Sequence, residues 1–396
     1  MLSLSQIVTA TELVGTPCFV CGWEPVAMRL SALEKIGSPL PLRHWLSFKT
    51  HPVKSLLSTW RSFGLGVEVV SEFEFAAALR VGFQPNQILV NGPLKHTWLP
   101  RYAERGIRVH FDSVRECQEL TPIARDLDWQ IGLRFHLRNC FDPDNPEQDA
   151  QFGLTGTEGR DAIAIIRRAG VKITSIHFHL RSHLRETTPY LDSLIELAEV
   201  ARDLDLSPAY VDIGGGLPNP SELIFGTDVP YGDLAPGLSD VFKHVPVLFP
   251  SASEIWMESG SYLTGSSAVL VTSVCDIKLR NSARIILCDG GRSNHALVSD
   301  WESHCVLIFP TRSAQKVLTT VAGPNCMAFD FLARMPLPKD VAVGDKIIWT
   351  DAGAYHIPWE TRFSRGLCPV VWIDANGDLT VARRRESPAE WWDQWE

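Results

Sequence analysis

Reactive side chains recur where short apolar runs of this sequence end. Lys49 ends the run HWLSFK, Glu68 lies in GVEVVS, Glu258 lies near the end of SEIWMES, and Asp212 stands just before three consecutive glycines. A lysine amine can form a Schiff base with an aldehyde, and a carboxylate can pair with a protonated ring nitrogen. Glycines let backbone N–H groups approach a phosphate without a Cβ in the way. This combination favours a phosphorylated aldehyde cofactor, although a lysine that reaches solvent and a flexible glycine turn would explain each feature separately.

The elements that must position these residues alternate along the chain. Eight strand-like runs lie at 44–49, 66–71, 87–91, 107–113, 130–136, 173–180, 209–216 and 253–259. Amphipathic segments of helical period separate them, which predicts parallel βαβ units closed into an α/β barrel of (β/α)8 type. In such a barrel the carboxyl ends of all strands meet at one face, so the reactive side chains should converge there.

The texture changes after residue 260, where strand-like runs are separated by turns without long helical segments. This pattern predicts a mostly antiparallel β domain, to which a strand within the first 25 residues could pair. We therefore predict a barrel domain over residues 26–250 and a β domain formed by residues 1–25 and 251–396. The C-terminal PAEWWDQWE favours a short surface helix over a partner-binding segment.

Composition excludes several classes of protein. The 37 basic and 46 acidic residues give a net charge of −9, which disfavours binding to nucleic acid or to an anionic membrane surface. Neither a transmembrane-length apolar stretch nor a signal peptide is recognisable, so we expect a cytoplasmic protein without membrane association. The odd count of nine cysteines favours reduced thiols, and no metal site is predicted, even at the closely spaced Cys18 and Cys21.

Seven motifs, in order, make the chain resemble the fold-type III pyridoxal 5'-phosphate (PLP) decarboxylases, the group that acts on ornithine, diaminopimelate and arginine. LSFKTHP is similar to YAVKANP, GVEVVSEFE to GFDVASxGE, HFHLRS to xFHVGS, and YVDIGGGLP to DIGGGFP. EIWMESGSYL is similar to EPGRYxV, GPNCMAFD to GPTCDxxD, and TDAGAY to ENAGAY. The motifs cover nearly the whole chain.

The resemblance implies a role for individual residues. Lys49 would bind PLP as a Schiff base, His179 would stack on the ring, Glu258 would pair with its nitrogen, and Cys326 would return a proton to the substrate Cα. The other implied or candidate cofactor contacts are Glu68, Arg134, Arg181, Ser182, Gly214, Gly215, Gly216, Ser261 and Tyr355. The family also implies a head-to-tail homodimer in which Cys326 reaches the Lys49 of the other subunit.

Three departures from the family pattern concern the phosphate and the substrate. Ser261 replaces the arginine of EPGR, and Arg181 replaces the glycine of HVGS. Arg181 could supply the missing positive charge to the phosphate or bind a substrate anion. Alternatively, it could lie at the protein surface without a role in binding either group. Met327 stands where related enzymes carry an acidic residue for a distal ammonium, so a simple diamine product is disfavoured.

We therefore expect an atypical amino-acid substrate, of L or D configuration, linked to a carrier, nucleotide or peptide in a specialised biosynthetic pathway. Candidate substrate contacts are Arg292, Asn294, His295, Met327 and Asp330. Two rival functions remain open: an amino-acid racemase of the same fold, and a non-catalytic decarboxylase-like regulatory paralogue. The thiol of GPNC favours decarboxylation over racemisation, and the retained cofactor residues disfavour the paralogue.

Overall fold

A computed structural model describes residues 2–102, 104–140, 151–280, 283–298 and 300–395. Within these ranges the strands are β1 Cys18–Gly22, β2 Leu42–Ser47, β3 Gly66–Val69, β4 Ile88–Val90, β5 Arg108–Phe111, β6 Gln130–Arg134, β7 Ile173–His177, β8 Tyr210–Asp212, β9 Glu254–Met257, β10 Ala268–Arg280, β11 Ala283–Cys288, β12 Val306–Phe309, β13 Lys316–Ala322, β14 Phe331–Pro338, β15 Lys346–Trp349, β16 Val370–Ile373 and β17 Leu379–Arg383. The α-helices are α1 Leu4–Val14, α2 Trp23–Glu34, α3 Lys54–Ser62, α4 Glu72–Val81, α5 Val114–Asp126, α6 Gly156–Arg168, α7 Thr188–Asp203, α8 Leu238–Phe242, α9 Val245–Leu248, α10 Gly260–Thr264, α11 His356–Trp359 and α12 Pro388–Trp392.

Strands β2 to β9 form a closed parallel barrel in sequence order. Closure occurs where β2 pairs with β9, with Leu42 opposite Ile255. The eight strands coincide with the eight apolar runs, because strands buried on both faces must be apolar almost throughout. Helices on the outside cover the barrel through apolar stripes, as with Leu56, Leu57 and Trp60 of α3. The predicted α/β barrel class is confirmed.

The remaining strands form a second, mostly antiparallel sheet in the order β14-β13-β11-β10-β1-β16-β17, with β15 joined to β10 and β12 joined to β15. The N-terminal β1 lies in its interior, antiparallel to β10 and parallel to β16. The sequence did not reveal β14, whose Pro336 and Pro338 obscure a strand pattern. An edge position tolerates them because a proline lacks the N–H that an inner strand must donate.

The elements of the structure point to limits of the barrel domain other than the predicted residues 26 and 250. The eighth barrel strand, β9, spans Glu254–Met257 and so lies beyond the predicted barrel end at residue 250. Helix α2 likewise starts at Trp23, before the predicted start at residue 26. We propose a barrel from about α2 to just past β9, since parallel hydrogen bonding of β9 to both β2 and β8 is what closes it. Among the described residues, no helix combines the length and apolar character needed to cross a bilayer.

Candidate active site

The Lys49 amine stands at the carboxyl end of β2, in the turn that follows the strand. Its Nζ lies 2.9 Å from Oε2 of Glu68, whose side chain is 1% exposed on the neighbouring β3. The register that places Ser47 opposite Glu68 brings the two groups together. Burial lowers the pKa of Lys49, but Glu68, Tyr355 and Glu258 together outweigh burial and raise that pKa above its ordinary value. The structure thus holds the amine at the barrel mouth, as the sequence predicted.

The glycine triplet after β8 approaches its neighbours too closely for any side chain. A Cβ on Gly214 would lie 2.7 Å from His179 Nδ1, and one on Gly215 would lie 2.8 Å from the carbonyl oxygen of Glu258. Gly214 N–H donates to Asp212, and Gly215 N–H donates to His179 Nδ1 at 3.1 Å. The first two N–H groups therefore fix Asp212 and His179 in this arrangement, which leaves Gly216 as the glycine best able to meet a phosphate.

The Glu258 carboxylate lies at the carboxyl end of β9 and is 2% exposed. His179 Nδ1 and His177 Nε2 each lie 3.6 Å from one of its oxygens, and Asn91 donates a hydrogen bond to it. Burial raises the pKa of Glu258, but His177, His179 and Lys49 together hold it well below its usual range. An ionised carboxylate thus faces the space above the barrel, as pairing with a ring nitrogen requires.

Tyr355 comes to the barrel mouth from the β domain. Its backbone N–H donates to the carbonyl of Thr50 at 2.8 Å, and His51 Nδ1 lies 2.7 Å from the carbonyl of Gly353. Tyr355 adopts a left-handed φ of 66°, a conformation that these contacts must stabilise. Burial raises the pKa of its phenol, whereas Lys49 and a hydrogen bond with Ser261 act in the opposite direction. Lys49, Ser261 and Tyr355 are therefore brought together, as predicted.

The predicted phosphate contacts at the ends of β6 and β7 differ in their burial and in their neighbours. Arg134 lies over the Phe152 ring, 4.5 Å from its centroid, with Nη1 at 3.8 Å from Asp112. Arg181 is half-buried and Ser182 is exposed in the loop after β7. The carbonyl of Arg181 would lie 3.0 Å from a Cβ on Gly216, so this loop packs directly on the triplet. A phosphate contact by Arg181 or Ser182 stays a prediction.

Cys326 lies on the loop between β13 and β14 and is exposed. Asp330 fixes the loop: its Oδ2 accepts from the Asn325 N–H and its Oδ1 accepts from the Arg292 N–H, each at 2.7 Å. The buried Asp330 carboxylate thus holds the loop in place, and its predicted substrate contact stays a prediction.

Two other predicted substrate contacts also lie inside the protein. Asn294 is 5% exposed, and its amide donates to Glu360 at 2.8 Å. His295 is fully buried, with Nδ1 at 2.8 Å from Nδ1 of His356. Both side chains form hydrogen bonds inside the β domain, and their predicted substrate contacts stay predictions. Arg292 forms an ion pair with Asp300, and Met327 is half-buried beside Cys326.

A buried cluster next to Tyr355 was not predicted from the sequence. Glu302 Oε2 lies 2.9 Å from His304 Nε2 and 2.8 Å from His356 Nε2. His304 Nδ1 also meets the carbonyl of Thr350, so both its nitrogens face acceptors and the ring must be the imidazolium. Burial opposes that charge, but Glu302 raises the pKa of His304 to about 9. The protonation state of His304 follows from these two hydrogen bonds, one of which joins loops that are distant in sequence.

The family model described as "Pyridoxal-dependent decarboxylase, pyridoxal binding domain" matches residues 32–265, more than half of the chain. This chain belongs to the pyridoxal-dependent decarboxylases. The decarboxylase is 28% identical to the diaminopimelate decarboxylase of Archaeoglobus fulgidus, over 96% of this chain and 93% of that protein. It is 26% identical to the lysine/ornithine decarboxylase of Selenomonas ruminantium, over 92% of this chain and 91% of that protein.

The fold of this decarboxylase also matches that of a solved structure. The diaminopimelate decarboxylase of M. jannaschii superposes with a TM-score of 0.85 at 20% identity, covering 98% of this chain and 93% of that one. The resemblance predicted from seven motifs is confirmed, as are the class of activity, PLP-dependent amino-acid decarboxylation, and the cofactor. Neither the racemase nor the non-catalytic paralogue is favoured by these relatives.

The residues of the site fit PLP. Positions 214 to 216 leave no room for a side chain, as a backbone that approaches a phosphate requires. Lys49 supplies an amine, and Glu258 supplies a buried anion for a protonated ring nitrogen. His179, which the Gly215 N–H orients, lies between the triplet and Glu258, where a flat ring could pack against it.

Proposed function

We propose that this decarboxylase removes the α-carboxylate of an amino acid, with Lys49 as the attachment point of PLP. The observation that carries this assignment is the convergence at one barrel mouth of the Lys49 amine, the ionised Glu258 and the glycine triplet. When bound, PLP withdraws electrons from the substrate Cα, which stabilises the charge left when CO2 departs. Glu258 keeps a proton on the ring nitrogen, His179 orients the ring, and the Cys326 thiol returns a proton to Cα.

We infer that the two active sites of a head-to-tail dimer each use residues of both subunits. Supporting this, the Cys326 thiol is exposed on its own chain, where a second subunit could reach it. A thiol that donates a proton must come within hydrogen-bond reach of the reacting carbon. A second subunit is the simplest source of such a thiol. The cytoplasmic location stays a prediction.

We infer that the substrate is an amino acid joined to a larger group. Met327 follows Cys326, and a thioether cannot pair with the distal ammonium of a free diamino acid. Arg292 is already ion-paired with Asp300, which weakens its attraction for a second anion. Free diamino acids are the competing class, because the named relatives are diaminopimelate and lysine/ornithine decarboxylases.

The test is a panel that measures CO2 release. Free ornithine, lysine, arginine and diaminopimelate are compared with carrier-, nucleotide- and peptide-linked amino acids, in both configurations. We expect turnover of a conjugate and slow or absent turnover of the free diamino acids. Rapid CO2 release from any of the four free amino acids would overturn the substrate assignment, and a change of optical rotation without CO2 release would instead identify a racemase.

A further inference from the structure

A continuous chain of three buried polar side chains, Asn91, His110 and Ser175, leads away from Glu258. Asn91 Nδ2 donates to Glu258 Oε1, and His110 Nδ1 lies 2.9 Å from Asn91 Oδ1. His110 Nε2 lies 2.9 Å from Ser175 Oγ. Each of these side chains belongs to a residue that is at most 3% exposed. The family motifs that identify the cofactor site contain neither Asn91 nor His110.

The chemistry of the groups fixes the direction of every hydrogen bond in this chain. An ionised carboxylate only accepts, so the amide nitrogen of Asn91 must face Glu258 and its oxygen must face His110. That oxygen accepts, so His110 must carry its proton on Nδ1. Burial lowers the pKa of His110 to about 3, which leaves the ring neutral and its Nε2 an acceptor. Ser175 therefore donates, and all donors point toward Glu258.

The barrel has room for this chain because Gly132, which lies between His110 and Ser175, has no side chain. Gly132 on β6 is paired with His110 of β5 on one side and with Ser175 of β7 on the other. A Cβ at this position would overlap both Ser175 Oγ and the His110 ring. Only glycine allows the serine and the histidine to meet across β6, so the chain is built by the sequence rather than formed by chance packing.

Asp212 shows why Glu258 needs this support. The two carboxyl groups lie within 4.8 Å of each other in the same buried cluster, where both cannot be charged without strong repulsion. Burial and the Glu258 charge raise the pKa of Asp212 well above its usual range. The pair therefore holds one proton, and it lies on Asp212. The Asn91 N–H places the positive end of its dipole on Glu258 and so favours this distribution.

We propose that Asn91 and His110 are positioning residues that orient the Glu258 carboxylate and keep it ionised toward the pyridine nitrogen of PLP. The chain touches neither substrate nor cofactor and acts only through Glu258. The inference rests on the proposed role of Glu258. Loss of this positioning should weaken the enzyme's preference for a cofactor with a protonated ring nitrogen. Its overall affinity for the cofactor should change less.

The experiment measures the dissociation constants of PLP and of 1-deaza-PLP, in which carbon replaces the ring nitrogen. The ratio of the two constants reports on the Glu258 contact alone, because the phosphate and ring faces are unchanged. We expect wild type to prefer PLP by roughly tenfold or more, as for hydrogen bonds to charged groups. Asn91→Ala and His110→Phe should each reduce that ratio several-fold, whereas Glu258→Gln should bring it close to one.

Control variants separate positioning from general damage. His44→Phe alters another buried barrel histidine, whose ring nitrogens have no hydrogen-bond partner among the described residues, and it should leave the ratio unchanged. If a core variant does not fold, Ser175→Ala tests the same chain from its far end with the smallest change of volume. A reduced ratio in Ser175→Ala supports the chain, and an unchanged ratio contradicts it.

The outcomes distinguish the two levels of inference. If Glu258→Gln keeps the full preference for PLP, the assigned role of Glu258 is wrong. If Glu258→Gln removes the preference while Asn91→Ala and His110→Phe retain it, only the positioning role is wrong. Equal loss of affinity for both compounds in the Asn91 and His110 variants would show a merely structural role and would also overturn the proposal.

Discussion

The backbone N–H of Tyr355 donates a hydrogen bond of 2.8 Å to the carbonyl of Thr50, the residue that follows Lys49. A loop of the β domain is thus hydrogen-bonded to the turn that presents the reactive amine. His51 extends the junction by contacting the carbonyl of Gly353 at 2.7 Å. The consequence is that the two domains share one site, since the position of Tyr355 and that of Lys49 cannot change independently.

Substitution of Lys49 tests the attachment of the cofactor. Lys49→Ala should remove the yellow absorbance of lysine-bound PLP and reduce decarboxylation by several orders of magnitude, because no other amine replaces the nucleophile. Absorption spectra and CO2 release measure both effects. Lys54→Ala, at the exposed start of α3, is the matched control and should behave as wild type. An unaltered spectrum in Lys49→Ala would refute the assignment.

Mixed dimers test whether the active sites are shared. Lys49→Ala and Cys326→Ala should each be inactive or nearly so, yet mixing them should restore activity to roughly a quarter of wild type. Random exchange makes half of the dimers mixed, and each mixed dimer contains one intact site. Activity is measured after subunit exchange, with the size of the assembly followed by light scattering. Absence of any recovery in verified mixed dimers would place Lys49 and Cys326 in the same subunit's site.

Substitution of Arg181 distinguishes between two predicted roles of this side chain, a contact with the cofactor phosphate and a contact with a substrate anion. If it neutralises the phosphate, Arg181→Gln should weaken PLP binding about tenfold or more and leave KM for the substrate little changed. If it binds a substrate anion, the same variant should raise KM and retain PLP. Titration of the apoprotein with PLP and steady-state kinetics supply the two measurements. Arg185→Gln, an exposed arginine in the same loop, serves as the control.

The Glu302–His304 pair should make stability depend on pH. Burial disfavours the His304 charge, yet Glu302 raises its pKa from 6.5 to about 9 in the folded state. The stabilising contribution is therefore complete below about pH 6.5 and is lost as the pH rises through 9, by an amount on the order of 2–3 kcal/mol. Urea unfolding of wild type and of Glu302→Gln at pH 6 and pH 9.5 measures this loss as the difference between the two proteins, because buried neutral histidines such as His110 act in the opposite direction in both.

Glu302→Gln removes the charge that holds the proton on His304. The variant should be less stable than wild type at pH 6 and should show a smaller loss of stability between pH 6 and pH 9.5. His44→Phe, which leaves this cluster intact, should retain the wild-type slope. An equal change of stability between pH 6 and pH 9.5 in wild type and in Glu302→Gln would contradict the assigned imidazolium, because buried neutral histidines such as His110 contribute to both proteins alike and cancel in the comparison.

Local patterns along the chain were enough to predict the barrel, its strand order and the residues at its mouth. Buried parallel strands must be apolar, and reactive residues in a barrel stand just after them, so Lys49, Glu258 and the triplet at 214–216 could be located by local pattern. Edge strand β14 escaped this logic because its burial alternates around two prolines. The hydrogen bonds of Asp330 to the N–H groups of Asn325 and Arg292 were also out of reach, because sequence spacing does not show which backbone N–H groups a carboxylate will meet.

Which polar groups form hydrogen bonds with one another could be seen only in the folded chain. Asn91 and Glu258 are 167 residues apart in sequence, and Thr50 and Tyr355 belong to different domains, yet each pair shares a hydrogen bond. The protonation of His304 likewise depends on acceptors from two separate loops. Such pairings follow from strand register and loop packing, which bring together side chains whose spacing along the chain carries no periodic signal. For this reason the sequence identifies the reactive groups, and the folded chain determines their charge.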